Sequence, residues 1–189
     1  PPHKINYRAN IWALHQLGVS EIIAVNAVGG IGDQYPPRTI AVPDQLIDYT
    51  YGRDHSFFDG GNQDLTHIDF TWPYSARLRQ KIINAASRQN IDVVNTGTYA
   101  CTNGPRLETA AEVRKIAVDG CNMIGMTGMP EAALARESGL EYAAIALVVN
   151  WCAGLNEIEV SMDEIRRILE QEVNRVRQLI LASVGEVSP

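Results

Sequence analysis

The chain is poor in cysteine, in aromatic residues and in clustered positive charge. Cys101, Cys121 and Cys152 are its only cysteines, and no two of them form a CxxC pair. Odd in number and dispersed, they exclude a disulfide framework or a zinc ribbon and point to a reducing, cytoplasmic compartment. Lysine and arginine total 16 against 22 aspartates and glutamates, a formal charge of -6. With the basic residues scattered, that balance argues against a nucleic-acid surface and for a small-molecule partner. No apolar stretch approaches the ~20 residues that a membrane span needs, and no signal peptide is expected. GxSxG, HExxH and any clustered His/Cys ligand set are missing too, so neither a hydrolase elbow nor a catalytic metal has support.

Hydrophobic residues are plentiful at 46% of 189 positions, enough for one substantial core, and no Pro/Gly/Ser-rich linker divides them. A single domain over residues 1–189 is expected. The chain opens on Pro1-Pro2-His3 without a methionine and runs almost at once into a helical pattern, which reads as a piece of a longer polypeptide. Tyr142 to Val149 is apolar throughout. A run without polar alternation is a strand covered on both faces, as in the parallel sheets of α/β proteins. Ligands of such sheets sit beyond the carboxyl ends of the strands, and Asn150 follows at that point. Taken alone, Asn150 is a strand-ending turn residue. Its amide nevertheless offers both donors and an acceptor, which suits a lactam edge.

Alternating helices and strands extend through most of the chain. Tyr7, Ile11, Leu14 and Leu17 recur at helical spacing before Gly18, and Glu21 to Val25 follows as a buried strand. Asn26 to Gly32 is rich in small residues and reads as a tight turn with exposed amides. Residues 36–74 read as short strands and long loops without a helix, a place for a lid or a subunit contact. Ser75 is an N-cap candidate for a helix with Leu78, Ile82 and Ile83 inward and Asn90 near its end, followed by a strand through Ile91 to Val94. Thr109 with Glu112 forms a capping box, Asn122 to Met126 a strand, and Pro130 opens a short helix that Gly139 closes. A second capping box, Ser161 with Glu164, begins a last helix whose stripe is Ile165, Ile168, Leu169, Val173, Val176, Leu179 and Ile180. Asp163 and Arg167 form a surface pair on it.

Several strand ends carry candidate chemistry. Gly29-Gly30-Ile31-Gly32 lacks the third glycine of a dinucleotide loop and the Lys-Ser/Thr of a P-loop, leaving an anion nest or a plain turn. Glu108 directly precedes a helix, where capping or a favourable helix dipole is the plain explanation. Thr127 lies between a strand and a proline-started helix, a natural anion or sugar contact, while Met126 and Met129 suit core packing. Cys152 suits a small buried position, and His15 and His55 suit surface or packing roles. Together these strand-end segments offer polar groups to one edge of one sheet, as a ligand cleft requires.

Asn6 to Leu14, the Asn26-Ala27-Val28-Gly29-Gly30 segment, Gly104-Pro105-Arg106-Leu107-Glu108-Thr109 and Gly125-Met126-Thr127-Gly128-Met129-Pro130-Glu131 occur in this order. On these motifs, which run through essentially the whole chain, the sequence resembles the trimeric purine nucleoside phosphorylases, and especially their methylthioadenosine/methylthioinosine branch. The resemblance implies a largely parallel mixed central sheet flanked by helices. It implies phosphorolysis of a purine nucleoside with inorganic phosphate as co-substrate and no cofactor or metal, in a homotrimer. By the same resemblance, Asn26, the Ala27 amide and Thr127 contact phosphate, and Val28, Gly29 and Leu107 contact the base. Met126, Met162 and His67 serve the ribose or its 5′-methylthio group, His67 from a neighbouring subunit. Glu108 and Asn150 hold the purine edge during catalysis. The family's first strand, its glycine-rich phosphate loop and an Arg-His pair precede the point where this chain starts.

Two departures bear on the substrate. Methylthioadenosine phosphorylases of the eukaryotic type carry aspartates where Asn150 and Cys152 stand, which suits a 6-amino purine. Here an amide at 150 can donate to a 6-oxo group while Glu108 accepts from N1–H. Ordinary 6-oxopurine phosphorylases place a histidine for the 5′-hydroxyl near the start of the last helix, where this chain has Met162, an apolar thioether. Methylthioinosine is therefore the expected nucleoside. Methylthioadenosine, ordinary inosine or guanosine, and a catalytically silent purine-binding or assembly module are the alternatives.

Overall fold

In the computed structural model, which describes residues 1–60, 65, 67–156 and 159–185, β6 (Glu141–Trp151) carries the apolar run and lies inside a sheet. The other strands are β1 (Glu21–Gly30), β2 (Ile40–Ala41), β3 (Gln45–Asp48), β4 (Thr98–Cys101) and β5 (Met123–Gly125). The order across the sheet is β2-β6-β1-β5-β4-β3. β1/β6, β4/β5 and β3/β4 pair in parallel, whereas β1/β5 and β2/β6 are antiparallel, which gives the mixed, largely parallel sheet that the sequence implies.

The reason β6 needs apolar side chains on both sides is visible in the packing. Tyr142, Ala144, Ala146 and Val148 join α1 (Tyr7–Gln16) and α4 (Glu131–Glu137) in one core. Ala143, Ile145, Leu147 and Val149 join α2 (Ala76–Arg88) and α5 (Met162–Val184) in another. The period of two along a strand sends successive side chains to opposite faces, so helices on both sides leave no polar face. A third cluster sets α3 (Ala110–Val118) against β4 and β5 through Val113, Ile116, Ala100 and Ile124.

Local signals place most helix ends. Ser75 caps α2 by accepting from the Leu78 amide at 3.1 Å. Thr109 and Glu112 form the reciprocal capping box of α3. At α5 only the Ser161 half is recorded, from the Glu164 amide at 3.4 Å, because the Glu164 carboxylate turns to Arg167 at 3.0 Å. Asp163 correspondingly pairs with Arg166 at 3.1 Å, one step along the helix from the expected Arg167. Leu169 and Val173 lie exposed, since α5 packs through the face carrying Ile165, Ile168, Val176 and Leu179. Residues 36–74 hold β2 and β3 and no helix among the described residues.

Two strand expectations are corrected. Asn26 to Gly30 is not a turn but the second half of β1, pairing β6 with a bulge after Val28. Its small residues answer to crowding: a Cβ on Gly30 would stand 1.9 Å from the Tyr35 carbonyl oxygen. The turn comes later, at Gly32 (φ 83°), with the Tyr35 amide closing on the Gly32 carbonyl. The second correction concerns Ile91 to Val94, which contributes a single bridge, Ala41 to Val94, while the strand proper is Thr98–Cys101. One further feature prepares the site: β5 meets β1 only at Gly29 and Gly30, so the rest of β1 has a partner strand on the β6 side alone.

Candidate active site

A cavity of about 280 Å3 opens where β1, β5 and β6 end, bounded by the loop before α3 and by the start of α5. Four chain segments meet there. β1 contributes Ala27, Val28 and Gly29, the loop before α3 contributes Leu107 and Glu108, the end of β5 contributes Met126 and Thr127, and β6 with α5 contributes Asn150 and Met162. These residues lie far apart in sequence and come together because β1 and β6 are parallel neighbours, whose carboxyl ends necessarily share one edge.

Asn150 is not in a turn. It is the penultimate residue of β6, opposite Gly29 across the bulge. Its Nδ2 donates to the Trp151 carbonyl at 2.7 Å. Only the nitrogen end of an amide can approach a carbonyl oxygen that closely with benefit, so this bond fixes which way the amide faces. The second N–H and the Oδ1 are left for a ligand. Glu108 is anchored comparably: its Oε1 accepts from the Thr102 hydroxyl at 2.7 Å, leaving the other carboxylate oxygen to the cavity. It does not cap α3, because Thr109 and Glu112 do, with Glu112 held down to about 2 by Arg106. A smaller cavity of about 210 Å3 adjoins Glu108 on the side of Tyr49, Tyr51 and Lys115.

At the other end of the main cavity, Thr127 is fixed by Asn26, whose Nδ2 donates to the Thr127 Oγ1 at 2.8 Å. That leaves the Thr127 hydroxyl proton free to be donated in turn, as an anion would require. Asn26 itself is 4% exposed and does not line the cavity; it acts on Thr127 from behind. Of the two readings of Gly29 to Gly32, an anion nest or a plain turn, the nest does not form there. Gly29 and Gly30 belong to the ladder, and the Ile31 amide donates to the Asn122 carbonyl at 2.8 Å.

Cys152 lines the cavity, although as a residue type it suits any small buried position. Its thiol is buried, with burial and then the nearby Glu108 carboxylate pushing it up to about 12. It is therefore a neutral thiol at physiological pH, not a nucleophile. Val149, Ala153, Val160 and Ile165 add an apolar wall that no motif marks. Val149 and Ala153 directly flank Asn150 and Cys152, and Val160 and Ile165 lie close in sequence to Met162. Met129 packs in the core, as expected, whereas Met126 faces the cavity. His67 is exposed and does not line the cavity of its own chain. Among the described residues, no group of three or more His, Cys, Asp or Glu is gathered for a metal ion, and no helix is long and apolar enough to cross a membrane.

The cavity thus holds an amide and a carboxylate at one end, a hydroxyl freed for donation at the other, and an apolar thioether at Met162. The chain is also similar to known proteins over most of its length. The model of the phosphorylase superfamily matches residues 1–185. A probable S-methyl-5′-thioinosine phosphorylase of Xanthomonas campestris pv. campestris is 50% identical over 95% of this chain and 72% of its own length. A 6-oxopurine nucleoside phosphorylase of Pyrococcus furiosus is 42% identical over 97% of this chain and 71% of its own. Among solved structures, a methylthioadenosine phosphorylase from Schistosoma mansoni in complex with adenine superposes with a TM-score of 0.94 at 32% identity, covering 98% of this chain and 72% of that one. The chain belongs to the phosphorylase superfamily.

Proposed function

We propose that the protein is a nucleoside phosphorylase that cleaves S-methyl-5′-thioinosine with inorganic phosphate, giving hypoxanthine and 5-methylthioribose 1-phosphate. The observation that carries this reading is that Asn150, Glu108 and Thr127 line one cavity. A phosphate oxygen attacks the anomeric carbon as the bond to purine N9 breaks, and the bonding electrons pass into the purine ring. Positive charge develops on the sugar and negative charge on the base, and catalysis comes from groups that meet those charges as they form. The free N–H of Asn150 faces the N7/O6 side, where negative charge accumulates. Glu108 accepts from N1–H, a donor that a 6-oxo purine has and a 6-amino purine lacks.

Thr127, oriented by Asn26, donates to phosphate, joined by the backbone amide of Ala27 on the half of β1 that has one partner strand. Val28, Gly29 and Leu107 flank the base and Met126 the ribose. Met162, 53% exposed at the head of α5, meets the 5′ substituent. A thioether offers no acceptor comparable to a histidine, so a methylthio group is preferred to a hydroxyl there. His67 reaches the site of a neighbouring subunit in a homotrimer, in keeping with its exposure in the single chain. Phosphate is the only co-substrate and no cofactor takes part. The three cysteines are unpaired and buried, in keeping with a cytoplasmic setting.

With purified enzyme, methylthioinosine is expected to be consumed only when phosphate is present, with kcat/KM at least about tenfold above that for inosine, since an apolar pocket contact is worth ~1–3 kcal/mol. Equal values for the two nucleosides would remove Met162 from the account. Gly29 provides a separate check on the base end. A Cβ there would stand 2.6 Å from the Cys152 Sγ and 3.4 Å from the Asn150 Nδ2. Gly29→Ala is expected to cost about 1–3 kcal/mol of stability through overpacking and, by displacing Cys152 in the cavity wall, to lower kcat/KM at least about tenfold.

A further inference from the structure

Arg53 lies outside the cavity, in the segment after β3, and nothing in its sequence surroundings marks it. Its side chain nevertheless uses every donor that a guanidinium possesses. Nε donates to the Asn103 Oδ1 at 3.2 Å. Nη1 donates to the Tyr7 hydroxyl at 3.3 Å and to the Met129 carbonyl. Nη2 donates to the carbonyls of Thr102 at 3.4 Å and Asn103 at 2.9 Å. The cation also sits over the Tyr7 ring, 5.3 Å from its centroid.

Apart from the Tyr7 hydroxyl on α1, the acceptors belong to two loops that diverge into the site. Thr102 and Asn103 begin the loop that ends in Glu108, and the Thr102 hydroxyl is itself the anchor of the Glu108 carboxylate. Met129 ends the loop that carries Met126 and Thr127. We propose that Arg53 is a positioning residue: by gathering these backbone carbonyls around one rigid fork, it fixes the separation between the group that holds the purine and the group that holds the phosphate. The planar arrangement matters as much as the charge, because a lysine has three donors on one atom and cannot satisfy all five acceptors at once. Phosphorolysis needs the attacking phosphate and the departing base in line across the sugar, so a shift of either loop falls on the reaction step. A displacement of about 1 Å costs ~100-fold in rate.

The inference rests on the phosphorolysis reading, and the test separates the two. In the full-length enzyme, Arg53→Lys and Arg53→Ala are expected to lower kcat by ~100-fold, while the directly measured Kd for hypoxanthine and the KM for phosphate change by less than about threefold, each half-site remaining intact. Arg53 borders a cavity of about 290 Å3 separate from the main one, so added guanidinium ion has access to the vacated place. It is expected to restore at least about tenfold of the Arg53→Ala rate without affecting the wild type. Three results overturn the proposal: a lysine variant with wild-type kcat; variants whose kcat per folded molecule is unchanged although stability falls; or a Kd for hypoxanthine that weakens in step with kcat. If wild-type enzyme ignores methylthioinosine, the substrate reading fails alone, and the same series is read with the purine nucleoside that the enzyme does cleave.

Discussion

Asn150→Asp is expected to lower kcat/KM for methylthioinosine by about a thousandfold and to reverse the preference, making methylthioadenosine the better substrate. The Asn150 amide spends one N–H on the Trp151 carbonyl and keeps the other for the purine. An ionised carboxylate has no N–H, so at the same place it turns an acceptor toward the 6-oxo group and leaves two acceptors face to face. Toward a 6-amino group it is complementary. The variant also loses the bond to the Trp151 carbonyl, so some stability is lost as well, and the ratio of the two substrates is the readout that this loss does not disturb. Asn150→Ala serves as the control: it removes the donor without supplying an acceptor, and both substrates slow without reversal. Steady-state kinetics on both nucleosides checks each variant, and an aspartate variant that kept its preference for methylthioinosine would detach Asn150 from the purine.

The second large effect concerns Glu108, for which helix capping was the plainer explanation. Glu108→Gln is expected to reduce kcat/KM for methylthioinosine by about a hundredfold or more, because a site built to accept from N1–H then offers an amide that competes as a donor. Stability should change little. The Thr102 hydroxyl still finds an oxygen, and the cap of α3 is held by Thr109 and Glu112. Thr109→Ala should behave in the opposite way, costing ~1 kcal/mol of stability with a much smaller effect on rate. Thermal denaturation and kinetics on the two variants separate binding from capping. If Glu108→Gln instead lost stability and kept its rate, the carboxylate would belong to the helix.

The fold was legible where one physical rule governs a segment. The uninterrupted apolar run of β6 follows from helices on both faces, and the Thr109 capping box follows from unsatisfied amides at a helix start. It was illegible where composition serves two ends. The glycines of β1 look like turn residues, but the requirement comes from the Tyr35 carbonyl and the Cys152 thiol pressing on the strand, contacts made by residues remote from it or beyond its end. Ile91 to Val94 and Thr98 to Cys101 are both β-prone, and only pairing with β3 and β5 selects the second. At the site, the residues named by resemblance gather around one cavity except Asn26, which stands behind Thr127, and His67, which faces outward. Thr102, Cys152 and Arg53 matter through distance and direction rather than through any motif.

The central claim is that Asn150 and Glu108 select a 6-oxo purine. The most direct test is the phosphate-dependent release of hypoxanthine from methylthioinosine against that of adenine from methylthioadenosine, with the same wild-type enzyme under the same conditions. The account predicts a kcat/KM for methylthioinosine at least about a hundredfold the higher of the two. Equal values, or faster release of adenine, would contradict it.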